Sequence, residues 1–225
     1  MKEYEEAVSG GETGKKFAEF YRMLAECNKR INLTRIIDEE DCRVKHFIDS
    51  LAGEKYFPQG AACCEVGSGG GFPSVPLMIF RPDLSFVLFE SVGKKCAFLE
   101  EAVRALGLNA RVCNMRAEEA ARDAAFREKF DVCCARAVAR MNTLAEYCAP
   151  LVRVGGCFVA YKGEAAEEIE EAGRAFYLLG LRLRCAERFE LPAQSGKRTL
   201  AVCDKVKSTP SAYPRGRGKE RSRPL

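Results

Sequence analysis

Cys63-Cys64-Glu65-Val66-Gly67-Ser68-Gly69-Gly70-Gly71-Phe72-Pro73 is the stretch whose reading decides the fold. A short apolar run, Ala61 to Val66, carries an acid at its end, glycines follow at 67, 69 and 71, and an amphipathic segment comes next. That order reads as a buried strand, a tight glycine turn and the start of a helix. It is an arrangement that brings backbone N–H groups close to a nucleotide-like ligand. A dinucleotide fingerprint G-x-G-x-x-G beginning at Gly67 needs glycine at position 72, where Phe72 stands. What remains is E-x-G-x-G-x-G, the pattern associated with S-adenosylmethionine (SAM) rather than with a nicotinamide dinucleotide. A plain glycine-rich surface loop is the alternative, and the flanking strand and helix patterns weigh against it.

Working outward, strand and helix patterns alternate from residue 61 onward. Strands are expected at 61–66, 84–89, 110–113, 130–135, 155–161, 181–189 and 198–204, with helices near 71–80, 94–106, 116–123, 140–151 and 165–178. Alternation with buried apolar strands predicts a doubly wound, mostly parallel α/β sheet. Leu191 to Lys197 is too short for a crossover helix, so the last two strands are expected to form an antiparallel hairpin. Seven strands ending that way give the Rossmann-like SAM-dependent methyltransferase plan. Upstream, Phe17, Phe20, Tyr21, Leu24 and Cys27 recur at helical spacing. A second helix opens at Asp38-Glu39-Glu40-Asp41, with Asp38 as N-cap. Residues 1–57 are therefore read as a helical extension packed on the core, 58–204 as the catalytic domain, and 205–225 as a basic C-terminal tail.

Composition bounds the function classes. The 225 residues suit one α/β domain, and no apolar run approaches the roughly 20 residues that cross a bilayer. No secretory leader pattern is evident, and a cytoplasmic protein, monomeric, is expected. Twelve cysteines are present, but no C-x-x-C pair, and His46 is the single histidine, so neither a metal site nor a disulfide framework is expected. Several of the thiols fall inside strand patterns, where they act as small hydrophobes. The net charge of +4 is uneven. Residues 205–225 hold seven Lys/Arg and one acid, +6, which leaves −2 for the rest. A basic tail on a near-neutral body reads either as a phosphate-backbone contact or as a solvated end.

Ligands of doubly wound sheets lie outside the carboxyl ends of the strands. Gly67, Gly69 and Gly71, with Glu65 before them, line the first strand end. Glu90-Ser91 end the second, and a carboxylate there accepts from both ribose hydroxyls. Ala117-Glu118 follow the third strand, where an adenine would lie, although an ordinary helix N-terminus explains them nearly as well. Arg136 ends the fourth strand beside the donor methyl, and Lys162 ends the fifth. The fourth strand end, Cys133-Cys134-Ala135-Arg136-Ala137, matches neither the [N/D]-P-P-[Y/F] sequence of amino-directed enzymes nor the Pro-Cys of C5-cytosine enzymes. The lack of an evident base or nucleophile suits an acceptor that is already nucleophilic. Guanine N7 qualifies, with transfer by direct displacement and no covalent enzyme intermediate, Arg136 and Lys162 serving orientation and charge balance.

At this point a resemblance becomes specific. Asn28-Lys29-Arg30-Ile31-Asn32-Leu33-Thr34, His46-Phe47-Ile48-Asp49-Ser50-Leu51, the Glu65–Pro73 stretch, Arg116-Ala117-Glu118-Glu119, Ala135-Arg136-Ala137-Val138-Ala139, Tyr161-Lys162-Gly163 and Tyr213-Pro214-Arg215 occur in order. The chain resembles the RsmG (glucose-inhibited division protein B) family of 16S rRNA guanine-N7 methyltransferases. The resemblance implies SAM contacts by Gly67, Phe72, Ala117, Glu118 and Arg136, with Glu90 at the ribose. It implies as acceptor a guanine in the decoding-region loop of 16S rRNA, met as naked rRNA, a small subunit or an assembly intermediate. Asn32, Thr34, His46, Asp49, Ser50, Arg198, Arg215 and Arg217 are the candidates for the acceptor and RNA side; for His46, Asp49 and Ser50 a purely structural role is the competing reading. The chain departs from the family pattern at Cys27 (usually tryptophan), Glu65 (commonly aspartate) and Ser74 (usually glycine). A small-molecule methyltransferase and a catalytically silent RNA-binding or assembly protein are the rival functions.

Overall fold

The structure, a computed structural model, describes residues 1–225. Its first two helices, α1 (Lys2–Ser9) and α2 (Gly11–Asn28), lead into α3 (Glu39–Cys42), a π-helical turn (Arg43–Ile48) and α4 (Asp49–Leu51). The core then runs β1 (Ala62–Val66), α5 (Ser74–Phe80), β2 (Ser85–Glu90), α6 (Gly93–Leu106), β3 (Ala110–Asn114), α7 (Ala117–Ala120) and β4 (Phe130–Arg136). It continues with α8 (Met141–Cys148), β5 (Val152–Lys162), α9 (Ala166–Glu171), α10 (Gly173–Leu179), β6 (Leu181–Glu190), β7 (Lys197–Lys205) and α11 (Lys219–Ser222).

Seven strands form one sheet in the order β3-β2-β1-β4-β5-β7-β6, with β7 antiparallel to both its neighbours. The predicted hairpin is present, and β7 inserts between β5 and β6. Register does the functional work. Val66 pairs with Phe89, Arg136 with Tyr161, and Lys162 with Thr199, so the ends of β1, β2, β4 and β5 form one row.

Alternation of side chains along each strand feeds two cores, one on each face. Cys63, Val132, Cys134 and Val159 join Phe17, Phe20, Phe47 and Leu99 on one face; Cys64, Cys133, Ala135 and Phe158 join Leu144, Phe176 and Leu179 on the other. The adjacent cysteine pairs thus point in opposite directions, and all twelve thiols are free. Phe20 of α2 touches the rings of Phe47, Phe72 and Phe98, so the N-terminal helices are continuous with the core on that face of the sheet. Asp38 caps α3 as expected, accepting from the Asp41 N–H at 2.9 Å.

Two expectations change. The first core helix begins at Ser74, not 71, because residues 70–73 are consumed by the turn. The tail is not a separate appendage. Lys205 belongs to β7 with its side chain wholly buried; its ammonium donates to the Ala149 carbonyl and to Thr209 Oγ1 and pairs with Glu128 at 3.3 Å. Arg127 donates to the carbonyls of Thr209 and Tyr213, and Arg122 to that of Pro214. Charge that the sequence suggested was free for phosphate is in part turned inward.

Candidate active site

The glycine turn is shaped by what it must avoid. Gly67 has φ +70°, and a Cβ there would come within 2.7 Å of Val138 Cγ2; Gly71 has φ +89° and would meet Val75 Cγ2 at the same distance. Only glycine accepts that backbone together with that crowding. The Gly67 and Ser68 N–H groups donate to the Phe89 carbonyl, which ties the turn to β2. Glu90 lies beside it and is nearly buried, Oε2 accepting from the Gly69 N–H and Oε1 from the Val92 N–H, both at 2.9 Å. With one N–H on each oxygen, both keep a free lone pair toward the cleft side.

Glu65 is the electrostatic anomaly. It is fully buried, Oε2 accepts from the Ser74 hydroxyl, and Oε1 has no partner. Burial pushes its carboxyl up to about 8, against the pull of Ser74, Ser68 and Arg136. Glu220 Oε2 in the tail is the other such oxygen; beside the glycine turn, Glu65 could accept a ligand's cation on giving up its proton. SAM carries an α-ammonium, so this donor set fits it: Glu65 for the ammonium, Gly67 and Gly69 for close backbone approach, Glu90 for the ribose. Ser91, Ala117 and Glu118 lie beyond, around a small pocket that Val66, Phe89, Met115 and Val138 also line. Glu118 is paired with Arg116 at 2.7 Å.

The other half of the cleft centres on Arg136. Its guanidinium donates to Asp49 Oδ2 at 2.9 Å, to the Lys45 carbonyl at 3.2 Å and to His46 Nδ1 at 2.5 Å, and lies over the Phe72 ring. Arginine only donates, so His46 Nδ1 accepts and the ring proton sits on Nε2, 2.7 Å from Thr34 Oγ1. Burial, with the charge of Arg136 second, pulls His46 down to about 3, and the ring is neutral. Thr34 Oγ1 also accepts from the Ile36 N–H, which leaves its own hydroxyl proton uncommitted. Asp49 is reached from the far side by Arg198 at 3.4 Å; burial pushes this carboxyl up while the two arginines pull it down. Lys162 donates to the Ala139 carbonyl and pairs with Glu168 at 3.0 Å. These groups border a second cavity of about 360 Å³, next to the donor pocket.

Several predicted residues are placed differently from their expected roles. Phe72 is buried in the aromatic cluster, stacked on His46, and supports the cleft from beneath. Ser50 is completely buried and donates to the His46 carbonyl, a structural bond. Arg136 does not extend freely into the cleft; it is held at its edge. Arg215 is consumed by the buried Glu146, while Arg217 remains exposed. Asn32 is exposed on the loop that Asn28 pins, Asn28 Oδ1 accepting from the N–H groups of Leu33 and Thr34.

Sequence reasoning missed Ala137, Val138, Glu168 and Tyr147. Ala137 has φ +58°, an uncommon conformation for a residue with a Cβ. It turns the chain so that Arg136 borders the second cavity and Val138 borders the donor pocket. Nothing in an alanine announces this. No cluster of His, Cys, Asp and Glu is placed to hold a metal, and no helix is long and apolar enough to cross a membrane.

Comparison with known proteins gives the family and the fold. Residues 13–194 match the GidB family, described as rRNA small subunit methyltransferase G. The Ribosomal RNA small subunit methyltransferase G of Lactobacillus johnsonii is 44% identical over 217 residues, covering 94% of this chain and 91% of that protein. The protein of that name from Exiguobacterium sibiricum is 44% identical, covering 93% and 90%. Among solved structures, M. jannaschii TYW2 in complex with AdoMet is similar in fold, with a TM-score of 0.56 at 13% identity, covering 76% of this chain and 80% of that one. The glycine turn, the strand-end acids and the Arg136 cluster therefore belong to a methyltransferase fold, and this chain is a member of the GidB family.

Proposed function

We propose that this chain transfers a methyl group from SAM to N7 of a guanine in the decoding-region loop of 16S rRNA. Methylation of small-subunit rRNA follows the names its relatives carry over nine-tenths of their length. The atom is inferred from the chemistry of the cleft, and the observation that carries it is the state of His46. The ring is neutral, its Nδ1 is occupied by a guanidinium, and its Nε2 bears the proton. It has no lone pair to offer as a base. Cys134 is fully buried beside Glu65 on the core side of β4, and its thiol is pushed well up by burial, so it is no nucleophile. The carboxylates that border the cavity are already engaged, Asp49 by Arg136 and Arg198 and Glu168 by Lys162, which suits an acceptor that need not lose a proton; N7 keeps its lone pair at neutral pH.

SAM, when bound, supplies a methyl on a sulfonium. The protein positions what reacts with it. Glu65 and Glu90 hold the donor from the β1 and β2 ends, and Val138 walls it. Arg136, locked by Asp49, His46 and Phe72, is a rigid cationic edge between donor and acceptor. Arg198, half committed to Asp49, and Lys162 face the second cavity, where a nucleotide's phosphate needs cations. SAM would bring one positive charge and a 7-methylguanine would keep one, so the chain's own residues need neither supply nor absorb charge. Preorganised dipoles and in-line placement suffice. A larger cleft of about 490 Å³ continues past Arg198 along Arg188, Phe189 and Lys197, where a ring and three cations, set against the acids Glu164 and Glu190, face flanking nucleotides.

The test is transfer of label from methyl-labelled SAM to small subunits and to naked 16S rRNA, followed by mapping of the modified base. Label in a single 7-methylguanosine supports the proposal. Label on an exocyclic amine or a ribose hydroxyl refutes it.

A further inference from the structure

We propose that the C-terminal segment is part of the donor site, and that Arg221 closes its adenine end. The proposal rests on the donor-site reading above and adds to it a residue from the tail. Three residues on one face of α8, at i, i+3 and i+4, receive the tail. The Thr143 hydroxyl donates to the Glu220 carbonyl at 2.7 Å. Glu146, with no exposed surface, accepts from the Arg215 N–H and from its guanidinium, both at 2.7 Å. Tyr147 shares a pocket wall with Arg221. The Glu220 carboxylate, also buried, accepts from the Gly216 N–H and closes the loop that carries α11. The segment therefore arrives on a fixed course, with its flanks anchored and Arg221 facing the space between β2, β3 and α8.

That space has the character of a base pocket. Phe89, Met115, Ala117 and Val138 supply apolar walls, and Glu90 marks the ribose end. Its volume is about 80 Å³, well below the roughly 300 Å³ at which small-molecule sites begin. To admit an adenosyl group one wall must move. The strand ends and Phe89 are core, whereas Arg221 is an exposed side chain on a four-residue helix. Arg221 is the wall that yields, and its planar guanidinium then covers the face of the adenine. Because the contact is shared, ligand binding and tail docking strengthen each other by the same factor.

Calorimetry with S-adenosylhomocysteine and with methylthioadenosine, on wild type, Arg221→Ala and Arg223→Ala, tests this. Arg221→Ala is expected to weaken both ligands about tenfold, by equal factors because the lost contact is to the base they share. Arg223→Ala should stay within twofold, and Arg221→Ala should melt with the wild type in the absence of ligand. Saturating S-adenosylhomocysteine should also slow tryptic cleavage between Arg217 and Arg221. Arg221→Ala binding both ligands as the wild type does overturns the proposal, as does a loss confined to rRNA affinity, which would make the tail an RNA arm. A wild type that binds neither ligand overturns the donor-site reading itself.

Discussion

The donor and acceptor halves of the cleft meet at Ala137 and are built by opposite means. The donor half is backbone and deficiency: a glycine turn with no room for a side chain at Gly67 or Gly71, and a buried carboxylate with one oxygen unpartnered. The acceptor half is side chain and sufficiency: Arg136, Asp49, His46 and Thr34 satisfy one another almost completely before any ligand arrives. A half that lacks a partner binds its ligand strongly and changes protonation in doing so. A half that is already satisfied positions its ligand and stays rigid. The difference matches the division of labour between a small cationic cofactor and a large polyanionic substrate.

The largest effect that should break this contrast is at the turn. Gly67→Val forces a branched side chain into Val138 at a positive φ; S-adenosylhomocysteine affinity should fall at least about a hundredfold by calorimetry, the sheet remaining folded by circular dichroism. The acceptor half should fail through stability first. Arg136→Ala leaves Asp49 buried with only Arg198 beside it and strips the His46 acceptor of its donor. Urea denaturation should show a loss of about 3–5 kcal/mol. Arg136→Lys should recover less than half, since one ammonium cannot reach three acceptors in a fork.

Acid and base separate the two halves more finely. Glu65 is raised to about 8 by burial, so its contribution is fully present below its ordinary value of 4.5 and is lost as pH rises through 8. His46 is lowered to about 3, so its contribution is present above its ordinary 6.5 and is lost as pH falls toward 3. The linkage ceiling for each is about 5 kcal/mol. Glu65→Gln should flatten the alkaline limb of a stability–pH curve and His46→Gln the acid limb, each by about 2 kcal/mol or more. Exchanged effects would mean the halves have been assigned the wrong electrostatics. Smallest is Lys197→Ala on the flanking cleft. Its Nζ lies 3.5 Å from an exposed Glu164 carboxylate, and its loss should lower the salt slope of rRNA binding by about 0.7–0.9 with little change in methyl transfer.

The two halves also differed in how far they could be read from the chain. Backbone constraints leave a direct mark: glycines at 67, 69 and 71 and an acid two residues before them announced the tight turn on which the proposed donor site rests, and strand alternation placed the sheet to within a few residues. Side-chain networks leave almost none. That Arg136 would be locked, Ser50 buried and Phe72 packed beneath His46 depends on how the π-helical turn at 43–48 lies across the ends of β4 and β5, a contact between residues some ninety positions apart. The tail misled for the same reason. A count of charges cannot tell that Arg215 faces Glu146 or that Lys205 lies inside the core, because pairing is a property of the fold.

The central claim is tested most directly in the cell. Ribosomal RNA from a strain lacking this gene, compared with its parent by chemical cleavage at 7-methylguanosine, should lose one cleavage in the 16S decoding-region loop and no other, and the cleavage should return with the wild-type gene but not with Gly67→Val. An unchanged cleavage pattern would contradict the account.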